Sequence, residues 1–110
     1  MVLVGCYIPP PVAQPAIIGK YPNACLPEAI TMTEALNKAS IKAKVVIFKT
    51  YTRSHAICVY MYPTGDNRMW GWDSTEMSNR IRAYWDNDTS IAQGWLNTSP
   101  KEDLISAEEP

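Results

Sequence analysis

The sequence predicts an α+β fold, an N-terminal helix packed on a small antiparallel sheet. Three observations carry this expectation. Apolar residues return every three or four positions from Cys25 to Ala39, the period of an amphipathic helix. Short runs rich in β-branched and aromatic residues follow at Lys44–Phe48, His55–Tyr62 and Arg68–Asp73, the composition of strands. The last two runs are separated by Pro63-Thr-Gly-Asp-Asn67, which is turn chemistry and predicts a hairpin.

Taken in order, residues 1–22 form an arm with Pro9, Pro10, Pro11, Pro15 and Pro22. Proline fixes φ and removes an amide donor, so the arm is expected to be extended and irregular, laid over the body. The helix follows, with Asn23 as N-cap and Pro27 in the first turn. After the three strands, Ser78–Trp85 has helical spacing, with Ile81, Tyr84 and Trp85 on one side. Asp86–Ser90 reads as a loop, and Ile91, Trp95 and Leu96 as anchors of a return segment. Residues 99–110 read as a solvated acidic tail or a short terminal helix, since Ser99 and Glu102 have capping-box spacing. The whole is one domain, residues 1–110, with a core over 23–98.

With 46% hydrophobic and 19% charged residues, the composition is that of a globular domain. A net charge of −1 provides no basic stripe, so no nucleic-acid partner is expected. No apolar stretch approaches membrane-spanning length, and the opening Met1–Cys6 has neither the basic residues nor the hydrophobic length of a signal segment. A cytoplasmic protein without membrane contact is therefore expected. Three cysteines cannot complete a disulfide framework, and none shows the paired spacing of a zinc site. No metal or cofactor is expected.

The chain has a single histidine, His55, and it stands at the start of a strand. Cys25 stands at the start of a helix, where unpaired amides and the helix dipole favour a thiolate, the nucleophilic form. Of the other cysteines, Cys6 lies in the arm, and strand alternation turns Cys58 away from the face of His55. Asp73 can be placed by register. A five-residue loop over 63–67 pairs Tyr62 with Arg68, which makes His55 and Asp73 diagonal neighbours on one face. Such neighbours are roughly 7–8 Å apart at Cα, within reach of a histidine–carboxylate hydrogen bond. A one-residue slip would send Asp73 to the other face.

These positions suggest roles. Cys25 would attack a carbonyl carbon, His55 would hold the thiolate and then protonate the leaving group, and Asp73 would orient the ring. The oxyanion needs donors. The Cys25 amide is one candidate, with Tyr21, Asn23 or Gln14 as side-chain candidates. Trp70 and Trp72 read as cross-strand packing with Tyr60 and Tyr62, and Trp72 or Trp70 could also line a cleft. Lys38, Lys42, Lys44 and Lys49 read as solvated faces.

His55-Ala-Ile-Cys-Val59, followed after a turn by Trp70-Gly-Trp-Asp73-Ser-Thr75, resembles the histidine strand and aspartate segment of the transglutaminase-like group of papain-like cysteine enzymes. Asn23-Ala-Cys25-Leu resembles the group's nucleophile at a helix start. The similarity spans about residues 21–75. It implies the family's fold, a Cys25-His55-Asp73 triad, and acyl transfer on peptide or amide bonds with a protein or peptide substrate. The alternative expectation is a non-catalytic binding module that keeps the fold, its proline-rich arm and acidic tail contacting a partner.

Overall fold

The computed structural model describes residues 9–13, 25–66, 68–74, 78–97 and 103–110. Its elements are α1 (Cys25–Lys38), β1 (Ala43–Thr50), β2 (Ser54–Met61), β3 (Met69–Trp72), β4 (Asn79–Ile81), α2 (Asp88–Leu96) and β5 (Leu104–Glu108). The strands form one antiparallel sheet in the order β4-β3-β2-β1-β5. The α+β class stands, with five strands and two helices among the described residues.

The helix α1 ends where its geometry requires an end. Ser40 takes φ 64°, and two reverse bonds close the turn, Ile41 N–H to Leu36 O at 2.9 Å and Ser40 N–H to Asn37 O at 3.0 Å. This pair of bonds is a Schellman motif, and Leu36 and Ile41 supply its apolar contact in the core. Alternation along the strands then sorts side chains to two faces. Ala56, Cys58 and Tyr60 of β2, with Val45, Trp70 and Trp72, join Ala29, Met32 and Leu36 of α1 in one core cluster. Ile57 and Val59, with Val46, Phe48, Met69 and Ile81, join Ile91, Ala92, Trp95 and Leu96 of α2 in another. The sheet separates two cores, each roofed by one helix. Val12 of the arm packs against the α1-side cluster.

Several expectations are corrected. Ser78–Trp85 is not a helix. Asn79–Ile81 adds an edge strand to β3, because Ile81 opposite Met69 finds its burial on the sheet. The expected loop and return segment form α2 instead. Asn87 caps it, its side chain accepting from Ser90 N–H at 2.9 Å. The tail is not helical over Leu104–Glu108: it pairs with β1 as an edge strand, setting Leu104 and Ala107 against the α2-side core while Ile105, Ser106 and Glu108 stay exposed. Ser99 and Glu102 lie outside the described residues, as does the Asn23 cap. Lys44 is no solvated side chain: its Nζ donates to Trp85 O at 2.7 Å and pairs with Asp88 and Glu109 at 3.1 Å each.

Two buried acids make the fold sensitive to alkali. Desolvation pushes the Cys58 thiol up to about 12, against a hydrogen bond from Thr33 that lowers it. Desolvation likewise raises the Tyr60 hydroxyl to about 12, opposed by its bond to Ser78. The unfolded chain gives up these protons first, so the stability they contribute is intact below about pH 9 and is lost as pH climbs toward 12. The melting midpoint is expected to fall steadily over this range, and Tyr60→Phe to flatten the fall. A midpoint that stays level to pH 11 would contradict the burial of these groups.

Candidate functional site

Residue order at the β1–β2 turn sets the histidine. Thr50 is buried, and its Oγ1 accepts from the Thr52 and Arg53 amides at 3.3 Å each, while its own N–H donates to Arg53 O at 2.9 Å. This side-chain turn starts β2 at Ser54 and brings His55 opposite Phe48. The imidazole meets the Phe48 ring edge-on, centroids 5.6 Å apart, and faces the Trp95 indole of α2 at 6.4 Å.

Asp73 arrives from the hairpin. The observed pairs Cys58↔Trp72 and Met61↔Met69, with Tyr62 N–H donating to Arg68 O at 2.9 Å, are the register expected for a five-residue loop. His55 Nε2 and Asp73 Oδ2 are 3.1 Å apart. Their side chains are 14% and 12% exposed, so the pair is largely shielded from water. The carboxylate lies against Nε2, and among the described residues no partner meets Nδ1.

Cys25 is the first residue of α1, half-buried against the α1-side cluster. The first turn of α1 reaches the same end of the sheet, because Ser74 Oγ donates to Glu28 Oε1 at 2.6 Å. That bond brings the first turn of α1 beside the strand end that carries Asp73, with Cys25 packed on the α1 face of the sheet and the His55 ring on the α2 face. Among the described residues no hydrogen bond joins the Cys25 sulfur to the His55 ring. Cys58 is fully buried on the α1 face and accepts from Thr33 Oγ1 at 3.1 Å, away from the imidazole.

Gln14, Tyr21 and Asn23 lie outside the described residues. Trp72 does not line a cleft. It is fully buried in the core beneath α1, and its Nε1 has no hydrogen-bond partner among the described residues. Trp70 packs as expected, its Nε1 donating to Tyr62 O at 2.9 Å. Sequence reasoning missed Phe48 and Trp95, which flank the imidazole, and the Glu28–Ser74 bond. Alternation could have signalled Phe48; nothing local signals that a glutamate in a first helical turn is buried.

A cavity of about 420 Å³ lies elsewhere, lined by Met69, Arg80, Ile81, Arg82, Ala83, Tyr84 and Ser90, and touches none of the three site residues. Among the described residues no group of three or more His, Cys, Asp or Glu could hold a metal ion. No described helix is long and apolar enough to cross a membrane. Comparison with protein-family models, curated proteins and solved structures finds no match to this chain.

Proposed function

We propose that this chain is a thiol acyl-transfer enzyme acting on peptide or amide bonds, built on a papain-like or transglutaminase-like core. The observation that carries the reading is the His55–Asp73 bond at the rim where α1 begins. Asp73 fixes the ring through Nε2, which leaves Nδ1 to exchange a proton with the thiol. Cys25 as thiolate attacks the carbonyl carbon, and the Cys25 amide at the helix start supports the oxyanion. The C–N bond breaks as the imidazolium gives its proton to the departing amine. Water, activated by the now neutral ring, then releases the acid; an amine in its place would give a new amide. The cycle needs no cofactor. The sulfur must close on Nδ1 across the rim, and catalytic hydrogen bonds in free enzymes are often long until substrate tightens them.

The missing Cys25–His55 bond favours a second reading, a protein-binding module in which His55–Asp73 is a structural pair wedged between Phe48 and Trp95. Iodoacetamide separates the two. At about pH 6 the enzyme reading expects Cys25 to alkylate roughly a hundredfold faster in the wild type than in His55→Ala. A Cys25 labelling rate at about pH 6 that His55→Ala leaves unchanged would support the binding module.

A further inference from the structure

Glu28 is 5% exposed, an unusual place for a carboxylate. Burying such a group is costly unless it is well bonded, so what it bonds to matters. Ser74, which donates to it, comes from 46 residues further along the chain. Glu28 stands one helical turn after Cys25, and Ser74 stands immediately after Asp73. The bond therefore joins the helix that carries the thiol to the strand end that carries the dyad, at the rim where the two must meet. We infer that Glu28 and Ser74 are positioning residues: their hydrogen bond fixes the start of α1 relative to the His55–Asp73 pair and so sets the reach from Cys25 to the imidazole.

The inference rests on Cys25, His55 and Asp73 acting as one site. Its physical basis is the shortness of the links on both sides. From Cys25 to Glu28 the chain is helical and stiff. From Ser74 to Asp73 there is one peptide unit, and from Asp73 to His55 one hydrogen bond. The path is short, so loosening the Glu28–Ser74 bond should change the approach of sulfur and ring before it changes the fold. A first-turn carboxylate is also favoured by the positive end of the helix, but that benefit is available at the surface and does not require burial against Ser74.

The test is Cys25 alkylation by iodoacetamide across pH, together with thermal melting, on the full chain. Ser74→Ala and Ser74→Gly each delete the hydroxyl, the second serving if the first fails to fold. Both are expected to slow Cys25 labelling near pH 6 about tenfold and to move its pH profile toward that of His55→Ala. Ser74→Thr, which keeps the hydroxyl, should restore the wild-type profile. A lowered melting midpoint with an unmoved pH profile would make the bond merely structural and overturn the inference. The inference is also overturned if the Ser74 deletions label like wild type while His55→Ala is slowed, and in that case the catalytic reading stands. If His55→Ala itself labels like wild type, the catalytic reading falls and the positioning role with it.

Discussion

Gly71→Ala is expected to lower the thermal midpoint by roughly 10 °C. Gly71 faces α2 from the middle of the β3 ladder. A Cβ there would collide with the Ile81 side chain and come within 2.7 Å of Trp95 Cε3 and 3.1 Å of Cζ3. Trp95 and Ile81 are both buried, so neither can swing into solvent to make room. Overpacking of a closed core costs about 1–3 kcal/mol, and an indole ring held on one side by a sheet belongs at the upper end. The consequence reaches the site, because Trp95 is also the ring that faces His55. Circular dichroism melts of Gly71→Ala and of Gly65→Ala make the comparison. Gly65 has φ 89° and open space around its missing Cβ, so its substitution reports turn strain alone. A Gly71→Ala loss of only a few degrees would mean that α2 packs loosely enough on the sheet to yield to a methyl group.

Asp73→Ala is expected to slow Cys25 alkylation near pH 6 by about a hundredfold while leaving the sheet intact. At the rim the carboxylate holds His55 by Nε2. Without it the ring loses its carboxylate partner and its fixed orientation, so under the proposed mechanism the nitrogen offered to the thiol is no longer defined. The loss should be greatest in mildly acidic solution, where an unassisted thiol is protonated, and should shrink toward alkaline pH, where any exposed thiol ionises. Rate measurements at about pH 6 and pH 9 test this. An equal loss at both pH values would indicate misfolding rather than a lost charge partner.

How much of this was legible in the sequence depended on how local the causes were. The period of Ala29, Leu36 and their neighbours located α1, and a five-residue turn fixed the β2–β3 register that brings Asp73 to His55. Those signals sit within one element or one hairpin. Ser78–Trp85 misled because Ile81, Tyr84 and Trp85 have helical spacing, while the burial that decides the matter lies on the neighbouring strand at Met69. Helix α2 hid behind its polar cap: Asn87 and Ser90 look like loop residues because their hydrogen bond forms only once the helix has started. Strand β5 has exposed Ile105 and Glu108, as edge strands do, and its partner β1 lies more than fifty residues earlier. The site followed the same division. The His55–Asp73 pair belongs to a hairpin and could be inferred from register. The burial of Glu28 and Trp72 depends on how α1 docks, which no short stretch of sequence encodes.

The sheet has a helix on each face, and the candidate residues reach its rim from opposite sides. A molecule that engages both Cys25 and the imidazole therefore cannot lie flat against either face. Under the proposed mechanism it has to come in end-on, along the strand axes, with the sulfur and the imidazole closing on one carbonyl at the end of the sheet. Such an approach suits an extended or protruding segment such as a chain terminus or a loop apex, and disfavours a target presented as a flat surface.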